Sequence, residues 1–324
     1  MNLTKSSHNY CFFVHDLLVQ IIKEGEKNNE FSIEIQLEEK EKKEIEKLSC
    51  NEFTEWLRNH HDGELYFLYY KQIFVALLTE YCQFLYTALY CSEKGQLSVT
   101  YALLRKPLKD NLLYLEWLVS DPKKFLTLFC SEDSCQKIEI KNVDKKTIIE
   151  NAVRKIPFKI FSPDFLYDIR YNKKINFGFE ELFEKANHIV TSYKFIETEI
   201  ENLNFVFSTK DDKETQWNRL YVLLPGLLFY TYEICLTLYK DMATKTTINP
   251  ELFKTSSIGF IISSEADKEY KQDTTGHFLR CANCKKNMKL TITRKKSLRK
   301  NLWIKCKCGN YYYPFNLRME LIQK

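Results

Sequence analysis

The sequence predicts a mostly α-helical protein in which a multi-helix bundle is followed by a small C-terminal β module. Glycine and proline, which interrupt helices, number only 8 and 7 among 324 residues. Long segments rich in Leu, Ile, Lys and Glu follow one another as far as residue 242, and this composition is typical of helices. Beyond them, short alternating stretches surround two closely spaced cysteine pairs, which indicates strands and turns.

These shifts in composition predict three regions. We expect an all-helical domain of six to eight helices over residues 1–245, a linker over 246–276 and a terminal module over 277–324. Within the linker, TSSIGFIISS at 255–264 is a candidate strand. Charge divides in the same way, because residues 274–324 carry 13 basic and one acidic residue, whereas residues 1–273 carry 35 basic and 42 acidic residues. A tail of net charge +12 on a body of net charge −7 indicates two modules with different partners.

Alternation and charge pattern predict the first elements of the helical region. FSIEIQL, residues 31–37, alternates apolar and polar residues and is interpreted as a short strand. EEKEKKEIEKL, residues 38–48, is predicted to be a solvated helix. Tyr66 to Cys91 and Leu97 to Val119 are apolar helices, and Pro107 predicts a kink or break within the second.

Capping signals predict the later elements. Asp121, Asp144 and Ser162 are each placed to cap a helix that follows at once. A helical pattern extends from Phe179 to about Leu203, and another covers Gln216 to Met242 with a bend at Pro225 and Gly226. Its segment 220–239 has the length and apolarity of a membrane span, but Glu233, the Pro-Gly pair and four tyrosines favour a helix buried in a bundle.

The composition also indicates the cellular compartment in which the protein functions. No charged stretch followed by an apolar core opens the chain, so we expect no secretory signal. Seven of the eleven cysteines are scattered without common spacing, and we expect them to be buried and reduced in a cytoplasmic protein. The abundance of Lys, Asn, Ile and Phe is typical of an AT-rich genome, which favours a prokaryotic source.

The remaining four cysteines form a metal-binding pattern. Cys281 and Cys284 are separated from Cys306 and Cys308 by the 21 residues 285–305. Two thiolates close in sequence turn onto one ion, and a second pair from a distant turn completes a tetrahedron. The spacing predicts one Zn²⁺ with four protein ligands, which leaves no position for water and makes the zinc structural. A redox C-x-x-C is the alternative, but no strand–helix context surrounds it.

The cysteine spacing resembles the zinc-ribbon family over about residues 277–315. The resemblance implies a β-hairpin or three-stranded sheet held by two metal knuckles, here with a C-x-C second knuckle followed by Gly309. MKLTI and NLWIK would be its strands and RKKSLRK the turn between them.

The predicted ribbon is strongly basic and carries aromatic residues, which together suit a nucleic-acid surface. Ten basic residues and no acidic residue lie between Cys281 and Cys308. Such a surface neutralises phosphates, and aromatic rings stack on bases. Docking onto an acidic protein and simple solubility are the alternatives. The candidate nucleic-acid-binding residues are Lys285, Lys286, Arg294, Lys295, Lys296, Arg299, Lys300 and Trp303.

No catalytic string is evident in the helical region, so an enzymatic function is not favoured. The sequence RNHHDGE at 58–64 combines two imidazoles with two carboxylates as a candidate metal or proton-transfer site, or else a polar turn between helices. Arg105, Lys109 and Asp110 lie in an apolar helix and predict salt bridges between helices.

The helical region also resembles HEPN-like helical proteins. That resemblance implies an effector ribonuclease of a prokaryotic defence or toxin system as the alternative to a binding protein or a docking scaffold. The family's Arg-to-His spacing on one helix does not occur in this sequence, and only Arg170 and His188 are candidates to meet by folding.

Overall fold

A computed structural model describes residues 3–157, 161–174, 178–194, 196–204 and 209–243, together with 278–280, 287–289, 304–305, 307 and 311–312. Two compact units divide the chain. One comprises Met1–Cys11, Trp217–Leu227 and Ile248–Lys324, and the other comprises Phe12–Gln216 and Leu228–Thr247. The second, hereafter the helical unit, holds most of the described residues.

The described residues confirm the helical bundle, with more helices than the six to eight expected. Besides α-helices, a π-helix occupies Lys106–Asn111 and a 3₁₀ turn occupies Ile140–Asn142. Within the described ranges the α-helices are α1 (Leu3–Lys27), α2 (Glu39–Ile45), α3 (Cys50–His60), α4 (Asp62–Glu93), α5 (Leu97–Arg105), α6 (Leu112–Ser120), α7 (Pro122–Phe129), α8 (Ser134–Ile138), α9 (Lys145–Lys155), α10 (Pro163–Tyr171), α11 (Glu180–Asn187) and α12 (Lys210–Met242).

The core of the helical unit forms where α4 packs against α5, the π-helix and α6. α5 also contacts α11, while α9 contacts both α6 and α10. Fully buried side chains such as Phe74, Leu78 and Leu112 fill this core, and their removal from water supplies the main stabilising term. α1 and α12 contribute residues to both compact units.

The predicted helix starts are confirmed at three caps. The Asp121 side chain accepts a hydrogen bond from the backbone N–H of Lys124, and Asp144 and Ser162 cap α9 and α10 in the same manner. Each cap satisfies an N–H group that the first helical turn leaves without a partner.

The predicted strand at 31–37 is wrong. Residues 33–38 have no regular secondary structure, and Ile35 and Leu37 pack instead against the cluster around Trp56. The Lys71 ammonium donates to the Ser32 carbonyl over 2.9 Å, so side chains of α4 supply hydrogen bonds that a neighbouring strand would have made. The alternation therefore reflects one-sided packing on helices.

The helix predicted from Phe179 to Leu203 is much shorter. α11 ends at Asn187, and His188 is extended. In the following segment Thr191 donates to the Ile196 carbonyl over 2.6 Å, and Asn204 donates to the His188 carbonyl over 2.7 Å. Local side-chain bonds of this kind compete with the helical pattern.

α12 begins earlier than predicted, because Thr209 and Asp212 form a capping box ahead of the apolar segment. Pro225 lies inside this helix. By length and composition alone α4 and α12 are both apolar enough to cross a membrane, and 89% of the apolar window of α12 is buried in the protein. The burial of α12 fits the predicted core helix.

The expectation that the scattered cysteines are buried holds for only part of the set. Cys11, Cys82, Cys91 and Cys235 are buried, whereas Cys50, Cys130 and Cys135 are exposed.

Two short antiparallel strand pairs lie in the C-terminal region. β1 (Phe278–Arg280) pairs with β2 (Asn287–Lys289), with Arg280 opposite Asn287. β3 (Ile304–Lys305) pairs with β4 (Tyr311–Tyr312), with Lys305 opposite Tyr311. The candidate linker strand at 255–264 lies outside the described residues.

Candidate functional sites

The predicted break at Pro107 takes the form of the π-helix. Proline has no N–H to give the preceding turn, and the N–H of Leu112 reaches back five residues to the Pro107 carbonyl. The Arg170 Nη1 donates to the Leu108 carbonyl over 3.4 Å, and the Tyr171 hydroxyl donates to the Lys109 carbonyl over 2.6 Å. Side chains of α10 therefore bind carbonyls of the π-helix. Short π-helical turns within α-helices occur frequently at functional sites.

Lys109 forms the buried salt bridge that its apolar surroundings predicted. Its ammonium contacts the Glu180 carboxylate at the start of α11, and both residues are buried. Burial raises the pKa of Glu180, while the neighbouring Lys109 lowers it. The pair connects the π-helix to α11 and confirms the predicted inter-helix role.

A cavity of about 630 Å³ lies beside the π-helix, wholly within the helical unit. Its volume is within the range of small-molecule sites. Its walls combine both charge signs with aromatic rings. The basic lining residues are Arg105, Lys106, Lys109, Lys141 and Lys145, the acidic ones are Glu80, Asp110, Glu139 and Glu180, and the tyrosines are Tyr114, Tyr167 and Tyr171.

Most charges of the cavity are paired with one another. Lys106 lies 2.5 Å from Glu80, which also accepts a hydrogen bond from Asn111 over 3.0 Å. Lys141 lies 2.9 Å from Glu139. The Lys106 partner lowers the pKa of Glu80. These pairs leave three charged groups of the cavity, Arg105, Asp110 and Lys145, without a hydrogen-bonded partner among the described residues.

Lys145 and Asp110 are the two of these groups whose pKa values burial shifts. Lys145 makes no ion pair with any described residue, and its ammonium lies 5.9 Å from the centre of the Tyr171 ring. Burial lowers the pKa of Lys145, and Lys109 lowers it further. Asp110 accepts no hydrogen bond from the described part of the chain, and its nearest cation is Arg105 at 3.9 Å. Burial raises the pKa of Asp110.

The histidine cluster at 58–64 spans the junction of α3 and α4, where His61 alone separates the two helices. His60 stacks on Trp56 with ring centres 4.5 Å apart, and its Nδ1 lies 2.9 Å from the Trp56 carbonyl. His61 lies 3.5 Å from Glu41 and 4.0 Å from Glu64. Among the described residues no group of three or more His, Cys, Asp or Glu is placed to hold a metal ion. The position of this cluster at a junction between two helices fits the polar-turn interpretation.

Arg170 and His188 are not brought together. Arg170 is fully buried and donates to Glu116 over 2.7 Å and to the Leu166 carbonyl over 3.0 Å, whereas His188 is exposed at the end of α11. The Tyr230 hydroxyl also donates to Glu116, over 2.8 Å. Arg170 therefore belongs to a buried hydrogen-bond network and is not accessible to a substrate.

The predicted zinc ligands lie outside the described residues, but the strands that flank them do not. Residues 281–286 connect β1 to β2 and include Cys281 and Cys284. Residues 306–310 connect β3 to β4 and include Cys306 and Cys308. Of the basic residues between the cysteine pairs, Lys307 is described and is exposed. Among the described strand residues β2 pairs with β1 and β3 pairs with β4, while the basic segment 290–303, with the rest of the predicted MKLTI and NLWIK strands, lies outside the described residues.

No protein-family model matches the chain, and no curated protein or solved structure shows significant similarity to it. The zinc-ribbon and HEPN-like resemblances therefore remain predictions from the sequence.

Sequence reasoning located the charged helix beside Pro107 but not the cavity. Lys145, Tyr171, Glu80 and Glu180 come from four other helices, so no local pattern joins them. The available signal was the placement of Arg105, Lys109 and Asp110 in an apolar helix, since buried charges need partners.

Proposed function

We propose that this chain is a two-module binding protein whose C-terminal zinc ribbon binds nucleic acid while the helical unit mediates partner binding or assembly. One observation carries the proposal: each of two antiparallel strand pairs is joined by a connection that contains a cysteine pair. We further propose a cytoplasmic, prokaryotic protein without membrane insertion.

The strand pairing supports a zinc ion held by the four cysteines. A tetrahedral site needs two pairs of thiolates delivered by two turns, and antiparallel strands separated by six and by five residues provide two turns. Cys281, Cys284, Cys306 and Cys308 would fill all four positions, so the zinc would stabilise the fold rather than activate water. A module this small has too little core to fold without such a ligand.

The charge of the same module supports a nucleic-acid partner. No acidic residue lies among the ten basic residues between Cys281 and Cys308, so no neighbour in the sequence neutralises their positive charge. A phosphate backbone neutralises such a surface and releases counterions, which gives binding a strong salt dependence. The aromatic residues Trp303 and Tyr311 add rings that can stack on bases.

Metal analysis tests the zinc proposal. Purified protein should contain about one zinc per chain, and Cys306→Ser should lose it. Cys130→Ser is the matched control, because Cys130 is an exposed thiol of the helical unit, and it should retain the metal. Zinc that persists in Cys306→Ser would show that the ligand set is different.

Affinity measured against salt tests the nucleic-acid proposal. Binding to single- and double-stranded DNA and RNA should weaken steeply as salt rises, with a slope that scales with the number of neutralised phosphates. Reversing the charges of Arg294, Lys295, Lys296 and Arg299 should abolish binding and flatten the slope.

A control variant reverses two exposed lysines of α2, Lys40 and Lys43, and should bind as the wild type does. Absence of binding to any nucleic acid at low salt, in protein that contains zinc, would contradict this part of the proposal. Retention of an acidic protein by the same zinc-loaded chain would then favour the docking function.

A further inference from the structure

The cavity beside the π-helix combines an unpaired cation with an unbonded acid. Lys145 has no ion pair among the described residues, and Asp110, whose side chain is 28% exposed, accepts no hydrogen bond there. A partly buried charge without a partner costs free energy. The two groups do not satisfy each other, although both line one cavity.

We propose that this cavity binds a nucleotide, with the phosphate on Lys145 and Arg105 and a hydroxyl or amino group donating to Asp110. This inference does not depend on the zinc ribbon, because every lining residue lies between Leu77 and Glu180 in the helical unit.

The cations are suited to a phosphate. Arg105 lies 3.9 Å from its nearest carboxylate, beyond hydrogen-bond distance, so its guanidinium donors can bind a ligand. Lys145 supplies an ammonium group and Arg105 a planar guanidinium group, and proteins commonly bind phosphate with both. Burial lowers the pKa of the Lys145 ammonium, and a bound dianion would reverse that effect by favouring the charged form.

The size and lining of the cavity exclude a bare phosphate as the full occupant. A volume of about 630 Å³ accommodates a drug-sized molecule, and the half-buried ring of Tyr114 in the lining is an aromatic side chain on which a base can pack. Asp110 gives the site an acceptor, which a phosphate alone would avoid but which the donors of a sugar or base would satisfy.

The cavity wall is held in place before any ligand binds. Arg170 and Tyr171 bind the carbonyls of Leu108 and Lys109, and Lys109 is fixed by Glu180. Such preorganisation lowers the entropic cost of binding. Glu180 already neutralises Lys109, so the phosphate would bind Lys145 and Arg105 instead.

Calorimetric titration with the four common nucleoside 5′-monophosphates tests the proposal on the full-length protein. At least one should bind, and the corresponding nucleoside and inorganic phosphate should each bind at least about tenfold more weakly, as expected for loss of a charge-assisted contact or of the base. Lys145→Ala should weaken binding by about tenfold or more, and Lys145→Arg should retain most of it.

Lys146→Ala is the matched control. Lys146 is the next residue of α9, is exposed and lies 4.8 Å from the Tyr167 ring centre, yet does not line the cavity. It should bind the nucleotide within about twofold of wild type, and none of the three variants should melt below the wild type, because neither lysine has an ion pair to lose.

The phosphorylated end of a nucleic-acid strand carries the same chemistry as a free nucleotide. A 5′-phosphorylated trinucleotide whose affinity falls in Lys145→Ala but not in Lys146→Ala would identify a strand end as the ligand, and a monophosphate that behaves in this way identifies a free nucleotide. The proposal is overturned if no monophosphate or trinucleotide binds in a Lys145-dependent manner, or if Lys146→Ala weakens binding as much as Lys145→Ala.

Discussion

At the scale of single residues, Arg170 is among the largest fully buried side chains of the described part of the chain. It is fully buried, and its guanidinium is bound by the Glu116 carboxylate and by two backbone carbonyls. Glu116 also accepts from Tyr230 through the same oxygen, Oε1, while its Oε2 has no hydrogen-bond partner among the described residues. Burial raises the pKa of Glu116 in spite of the arginine. The buried negative charge of Glu116 is therefore stabilised mainly by the positive charge of Arg170.

Arg170→Met is therefore expected to lower the free energy of unfolding by about 3–5 kcal/mol, because it leaves Glu116 as an uncompensated buried charge. Denaturant unfolding measures this change. Adding Glu116→Gln to Arg170→Met should cost less than adding it to the wild type, since the isolated carboxylate is then removed. Arg154→Ala, which breaks the exposed pair with Glu150, is the control and should cost less than about 1 kcal/mol. Equal losses in the two arginine variants would contradict the assigned role.

The cavity carboxylate Asp110 gives a prediction about pH. Burial raises its pKa in the folded protein, so the folded state binds this proton more tightly than the unfolded state does. Its contribution to stability is consequently lost as pH rises through the raised pKa. Asp110→Asn has no such titration, and its stability relative to wild type should improve as pH increases across that window. Denaturant unfolding over a pH series measures the difference.

Asp144 serves as a control because its pKa is shifted in the opposite direction to that of Asp110. Hydrogen bonds from Thr147 lower the pKa of Asp144, so its stabilisation is present above its ordinary pKa and is lost as pH falls through the lowered value. Asp144→Asn should therefore gain relative to wild type on acidification. The same pH trend in both variants would show that the Asp110 effect is not specific to its burial.

At the scale of elements, helix starts were predictable and irregular segments were not. A helix cap involves one side chain and the backbone N–H of the third residue after it, so it can be predicted from a short stretch of sequence. The predicted caps Asp121, Asp144 and Ser162 are confirmed for this reason. The end of α11 depends on Thr191, Thr198 and Asn204 bonding across a loop. Such contacts are not periodic in sequence, so the helical pattern continued past them.

The π-helix was predictable only in part. Pro107 marked the position at which α-helical hydrogen bonding had to change, but a kink, a break and an extra residue in the turn are equally compatible with a proline. The π form is stabilised by Arg170 and Tyr171, which lie about sixty residues later in the chain. The cavity was missed for the same reason, because its unpaired Lys145 belongs to α9 and faces the π-helix only through the tertiary fold.

The Asp121 cap yields a prediction for α7. Asp121→Ala removes the acceptor of the Lys124 N–H and should lower the free energy of unfolding by about 1 kcal/mol. Asp133, which precedes α8 but accepts no capping hydrogen bond, is the matched control, and Asp133→Ala should cost clearly less. Thermal and denaturant melts of both variants compare them directly. An equal cost would mean that charge near the helix start, rather than the hydrogen bond, stabilises α7.

At the scale of the whole molecule, the two charge signs are separated along the chain. The acidic part, at −7, coincides with the helices, and the basic part, at +12, contains the strand pairs. The sequence predicted this separation directly, because charge is additive along the chain and does not depend on packing. How much of the terminal module folds as a ribbon remains a prediction, since the cysteines lie outside the described residues.

Metal removal should consequently affect the two parts differently. The described helices contain no metal-ligand cluster, and the helical unit is held by apolar packing and buried pairs, whereas a small four-cysteine module requires its ion to fold. A chelator under reducing conditions should therefore release the zinc and expose the lysines and arginines of residues 285–307 to trypsin. Far-UV circular dichroism should meanwhile retain the helical signal of residues 12–216. Protection of the tail after complete zinc loss would show that it folds without metal, and a collapse of the helical signal would show that the ion also stabilises the bundle.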